Sequence, residues 1–108
     1  MVVYVLNSLP ISALDTPCQL DIEEVIEEGV KEFLSIFPFV SAVGRKSTAD
    51  FMSRLLGVRI PAIRREIILR SGDIAIVFQL MERLPEGKIL TEEELRKIPY
   101  KFFKVEVI

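Results

Sequence analysis

The sequence predicts an α/β fold of the α+β type, with a mixed central sheet of about five strands and helices packed on it, in a single domain. Three observations carry this. A chain of 108 residues has room for one hydrophobic core but not two. Short runs rich in β-branched and aromatic residues occur at 2–6, 74–81 and 100–108. Between them apolar residues return at helical spacing, as in Ile22, Val25, Ile26, Val30, Phe33, Leu34 and Phe37.

Taken in order, 2–6 reads as a buried strand ending at Asn7, and 7–17 has the Ser and Pro content of a loop. Residues 18–22 suit a brief edge strand. The helical spacing then starts at Asp21, with Asp21, Glu23 and Glu24 at the favourable N-terminal end. Gly29 weakens this helix and Pro38 stops it. The acidic positions Glu23, Glu27 and Glu28 read as a solvated face. A second helix is expected over 47–56, opened by Ser47 with Asp50 as its capping partner and closed by Gly57. Residues 58–63 contain Pro61 and read as irregular. Residues 64–70 alternate like a strand, and Ser71-Gly72-Asp73 is a hairpin signal, so 64–70 and 74–81 are expected to form the central hairpin. The near-continuous apolar run 74–81 implies cover on both faces, broken only by Gln79. A buried amide without a partner costs about 1–3 kcal/mol, so Gln79 needs either a neighbouring backbone group or a ligand. Residues 82–90 read as a loop. Thr91 caps a short helix with Glu94, Pro99 ends it, and 100–108 closes the chain as a strand.

Composition narrows the chemistry. There is no histidine and one cysteine, Cys18, which leaves no Ser-His or Cys-His nucleophile, no internal disulfide and a poor ligand set for zinc or iron. Cys18 reads as a small buried hydrophobe in a reducing cytoplasm. No apolar run approaches the roughly 18 residues of a membrane span, and the first nine residues have no basic leader, so no signal peptide is expected. The net charge of −2 divides unevenly: 1–44 carries seven acids and one base, whereas 45–83 carries eight bases and four acids. That asymmetry suits an anionic partner for the middle segment, or a solvated charged surface. Asn7, Gln19 and Gln79 are the only amide side chains, and this depletion suits a hot environment.

The stretch Ser41-Ala42-Val43-Gly44-Arg45-Lys46-Ser47-Thr48-Ala49-Asp50 is the most informative. An apolar approach meets a glycine, two cations, and two hydroxyls that open a helix. A helix start presents unpaired N–H groups and partial positive charge, which is the physics of a phosphate site. The alternative is an ordinary capped loop with both cations in solvent.

Four segments together resemble one family: Val5-Leu6-Asn7-Ser8; Ser41-Ala42-Val43-Gly44 with Ser47-Thr48; Arg64; and Gln79 with Arg83-Leu84-Pro85-Glu86-Gly87-Lys88. Their order and spacing, over nearly the whole chain, are similar to the viral ring nucleases, anti-CRISPR proteins of archaeal viruses and some phages that disarm type III defence. The resemblance implies a homodimer in the host-cell cytoplasm that encloses cyclic tetra-adenylate. It implies cleavage without metal or cofactor, by attack of a ribose 2′-oxygen on its own phosphodiester, giving di-adenylates with a 2′,3′-cyclic phosphate. It implies no membrane partner, and no long nucleic acid is expected despite the basic 45–70 segment.

By the same resemblance, Asn7 and Gln79 orient the ligand, Ser47 and Thr48 hold phosphate, and Arg64 neutralises charge. Arg83 contacts the scissile phosphate, and Glu86 lies in a loop that closes over the ligand. One departure is large: the family has histidine directly after the glycine, where this chain has Arg45. Arginine stays charged and is a poor proton donor, and a positioned general acid contributes about 10²–10⁴ in rate. Arg45 retains an electrostatic role, and Glu86 is the remaining candidate acid. Lys46 departs too, since the family usually has an acid there. Two changes toward positive charge are expected to favour binding over turnover, so a non-catalytic sponge for the same ring is the alternative function.

Overall fold

The computed structural model describes residues 1–82 and 91–108. Five strands form one mixed sheet in the order β2-β5-β4-β1-β3. They are β1 (Val3–Leu6), β2 (Leu20–Val25), β3 (Val40–Ser41), β4 (Ile74–Leu80) and β5 (Tyr100–Val107). The helices are α1 (Glu27–Ile36), α2 (Lys46–Leu56) and α3 (Glu92–Arg96), with a 3₁₀ turn at Ile11–Ala13. The expected fold class is the one observed.

The period-two alternation of the strands sorts two apolar sets onto opposite faces. Val3, Val5, Ile74, Ile76 and Phe78 face the helices, packing with Val30 and Leu34 of α1, Phe51, Met52 and Leu56 of α2, and Leu95 of α3. Leu6, Ala75, Val77, Val105 and Val107 face the other way, where irregular chain covers them through Ala13, Leu14, Ile67 and Leu69. Helices on one face and loops on the other is the α+β arrangement.

β4 is the middle strand of the five, parallel to β1 on one side and antiparallel to β5 on the other. That overturns the expected hairpin. With both edges of β4 taken, 64–70 finds no edge there and stays irregular, with one isolated bridge, Leu69 to Leu14, in place of a strand ladder. The Ser71-Gly72 turn is present, with Gly72 at φ 90, but it feeds β4 from this irregular segment. The first helix is also shorter than its spacing suggested. Residues 20–25 pair with β5 through six residues, from Leu20 opposite Val107 to Val25 opposite Phe102. The helix begins only at Glu27. Its acids Asp21, Glu23 and Glu24 therefore lie on an exposed edge strand, where charge discourages further strand pairing.

The remaining elements follow their local signals. Gly57 closes α2 in the left-handed conformation at φ 66, and its N–H donates to the Ser53 carbonyl at 2.9 Å. Thr91 and Glu94 form the reciprocal capping box at the start of α3. Cys18 is half-buried against the loop-covered face and is not fully enclosed. Among the described residues, no helix is long and apolar enough to cross a membrane.

Candidate functional site

β1, β3 and β4 run parallel, so their carboxyl ends lie at one edge of the sheet, and α2 begins there. This is where open α/β sheets place ligands. A hollow of about 310 Å³ opens at that edge. Asn7 and Ser8 line it from the end of β1, Arg45 and Thr48 from the start of α2, and Phe78, Gln79, Leu80 and Glu82 from the end of β4. Four of the residues nominated from sequence, drawn from three elements far apart in the chain, thus converge here: Asn7, Arg45, Thr48 and Gln79.

The start of α2 differs from the expected one. Arg45 is the N-cap residue, its side chain makes no cap, and the helix begins at Lys46. Ser47 is therefore inside the first turn and cannot cap. Asp50 is engaged instead by Lys46, whose Nζ lies 2.8 Å from the carboxylate. The first helical bond runs from the Ala49 N–H to the Arg45 carbonyl at 2.9 Å. Among the described residues, nothing accepts from the N–H groups of Lys46, Ser47 and Thr48. These are the orphan donors of a helix start, carrying the positive end of its dipole.

Thr48 is the decisive side chain. It is 3% exposed and lines the hollow, yet its hydroxyl has no hydrogen-bond partner among the described residues. A buried hydroxyl left unpaired costs about 1–3 kcal/mol. Such a group marks a place where something else supplies the partner.

Gln79 corrects an expectation. β4 outruns β1, whose last register pair is Leu6 with Val77, so Gln79 lies beyond the cover and is exposed. Its Nε2 donates to the neighbouring Leu80 carbonyl at 3.0 Å, and among the described residues nothing donates to its amide oxygen. Arg64 does not line the hollow. It lies across Gly44, where a Cβ would sit 3.7 Å from the Arg64 Cβ and Nε. That is ordinary van der Waals spacing, so the arginine stem packs over Gly44 at the approach to α2. Because Lys46 is paired with Asp50, only Arg45 of the two added cations faces the site. Arg83 and Glu86 lie outside the described residues.

A second cavity of about 570 Å³ adjoins the first and shares Asn7 and Ser8 with it. Ser12, Arg65, Glu66 and Ile67 form part of its wall. Sequence reasoning passed over these residues and Glu82. Ser8 was signalled by its place directly after Asn7. Arg65 and Glu66 carried no signal, because the strand expected there would have sent them to alternate faces.

A model of the family described as STIV B116-like matches residues 3–102. The chain belongs to the STIV B116-like family. Its B116-like relatives include ORF117 of Acidianus two-tailed virus, 35% identical over 108 residues that cover 97% of this chain and 92% of that one. Protein 26 of Sulfolobus islandicus filamentous virus is 37% identical, covering 97% and 91% of the two chains. YddF of Bacillus subtilis is 35% identical over 105 residues, covering 95% and 94%. Among solved structures, B116 of Sulfolobus turreted icosahedral virus superposes with a TM-score of 0.78 at 26% identity, covering 98% of this chain and 99% of that one. These relatives come from archaeal viruses and a bacterium, and B116 shares this fold.

Proposed function

We propose that this chain binds cyclic tetra-adenylate between two copies of itself, lowering the level of the type III CRISPR messenger, and cleaves it slowly without metal. The buried, unpartnered Thr48 hydroxyl carries the reading. It stands at the helix start with Arg45 and three N–H groups that are unpaired among the described residues, an arrangement suited to a phosphate oxygen. Asn7 and the Gln79 oxygen supply amide contacts of the kind that orient a nucleotide. A four-nucleotide ring is larger than one 310 Å³ hollow. The adjoining cavity and a second copy related by a two-fold axis supply the remaining room.

In the proposed chemistry a ribose 2′-oxygen attacks its adjacent phosphorus while the bond from phosphorus to the 5′-oxygen breaks. The 2′-hydroxyl loses its proton and the departing 5′-oxygen gains one. Arg45, and Arg83 by the family resemblance, would stabilise the phosphorane's charge. Enclosure would align the 2′-oxygen with the leaving group. Glu86 is the proposed proton source. One observation favours the sponge instead: arginine stands at the start of α2 where the resembled family has its acid.

Incubating the purified chain with excess radiolabelled cyclic tetra-adenylate separates the two. Conversion of the whole excess to di-adenylate establishes turnover. Stoichiometric retention of intact ring establishes the sponge, and no retention by folded chain refutes both.

A further inference from the structure

The segment that follows α2 reaches the site without belonging to any strand or helix, and it is held by side-chain hydroxyls together with two isolated backbone bridges, Val43 with Ala62 and Leu14 with Leu69. The Ile60 N–H donates to the Ser53 hydroxyl at 2.9 Å, and that hydroxyl donates to the Ala49 carbonyl at 2.7 Å. One residue on, the Pro61 carbonyl accepts from the Ser41 hydroxyl at 2.7 Å. The Ser41 oxygen also takes a longer contact from the Val43 N–H at 3.4 Å. The Ile63 N–H then donates to the Val43 carbonyl at 2.9 Å. Beyond it the backbone of 64–68 makes no hydrogen bond among the described residues until Leu69, whose N–H donates to the Ala13 carbonyl at 2.7 Å.

Arg64 is therefore the first residue past an anchor. Its stem lies on Gly44, between Ala42 of the larger cavity and Arg45 of the hollow. Ser41 is 4% exposed, so its hydroxyl bond to Pro61 is shielded from competing water. Proline leaves Pro61 without an N–H, so its carbonyl is the only backbone group through which it can be tied, beside the Val43–Ala62 bridge.

We propose that Ser41 is a positioning residue: its buried hydroxyl clasps the Pro61 carbonyl and thereby holds the Arg64 side chain against Gly44, at the approach to the anion site. This rests on the anion-binding reading of the α2 hollow. Ser41 does not touch the ligand; it acts by restricting where Arg64 can be. The clasp lowers the ordering cost that ligand binding would otherwise meet at Arg64.

The test is a double-mutant cycle with cyclic tetra-adenylate by calorimetry, on the unsubstituted chain, Ser41→Ala, Arg64→Ala and the pair. Arg64→Ala weakens binding about tenfold, Ser41→Ala about threefold, and the pair is no weaker than Arg64→Ala alone. Losses that multiply, or an undiminished Ser41→Ala, overturn the proposal. A ligand-free arm separates this from failure of the parent reading. The heteronuclear NOE of the Arg64 Nε–H falls in Ser41→Ala, while that of Arg70, held by Asp15 at 3.2 Å, does not. An unchanged Arg64 NOE overturns the clasp whether or not the ring binds. If the unsubstituted chain shows no binding, the ring reading fails and the NOE alone judges the clasp. Should Ser41→Ala not fold, Ser41→Cys, near in volume and weaker as a donor, is read in the same way.

Discussion

Replacing Thr48 with valine separates a ligand site from a packing site by the signs of two effects. Valine keeps the β-branched shape and nearly the same helix propensity, so backbone preference cancels. What changes is one hydroxyl, 3% exposed and unpaired among the described residues. Removing an unsatisfied buried hydroxyl recovers part of its desolvation penalty, so Thr48→Val should gain about 1 kcal/mol of stability. The same hydroxyl, hydrogen-bonded to a phosphate, is worth about 1.5–3 kcal/mol, so affinity for cyclic tetra-adenylate should fall about 10- to 150-fold. Urea unfolding reads the first as a raised midpoint at constant m, and calorimetry reads the second. A residue that only packs cannot give both signs together. Lower stability with unchanged affinity would refute the assignment of Thr48 to the ligand.

Three further outcomes follow from the same geometry. Arg45→His places an imidazole at the mouth of the hollow and should raise the single-turnover cleavage rate by about 10²–10⁴, with the gain growing as pH falls toward the imidazole's pKa; no gain with affinity intact would remove position 45 from proton delivery. Asp73 is 8% exposed and accepts from the Val2 N–H at 3.0 Å and the Arg70 N–H at 2.9 Å, joining the start of β1 to the turn before β4. Asp73→Ala orphans both donors and should cost about 2–4 kcal/mol in urea unfolding. The Tyr100 phenol is pushed up to about 12, first by burial, then by the 2.8 Å bond it donates to Glu27 and by that carboxylate's charge. Because the folded value lies above the unfolded one near 10, this stabilisation is complete below about pH 10 and is lost as pH rises through about 12. Tyrosinate absorbance should show one of the two tyrosines titrating late, and Glu27→Gln should bring it down.

How far the site could be read from sequence differs residue by residue. Arg45 and Thr48 were legible in the run of glycine, cations and hydroxyls that opens a helix, whereas Asn7 was nominated by the family resemblance. Gln79 was legible as an exception in an apolar run, but its burial was misjudged, since the length of β1 and not of β4 decides where cover ends. Ser47 was misassigned because one residue of helix, Lys46, moved the cap to Arg45. Arg64 was placed in a strand because its segment alternates, and alternation is silent on whether a partner edge is vacant.

Sequence by itself determined the features that depend on a few neighbouring residues: the two apolar faces of the strands, the glycine stop at Gly57, the capping box at Thr91, and the charge and donor types available for an anion. Local sterics and hydrogen bonding set these, so their causes lie within about a turn of chain. Tertiary structure alone decided which strands are neighbours. Residues 20–25 became a strand because β5 offered a free edge six residues long. Residues 64–70 did not, because β1 and β5 already filled both sides of β4. Hydrogen-bond partners in a sheet are contributed by distant chain, so competition for an edge is invisible until the whole chain has folded.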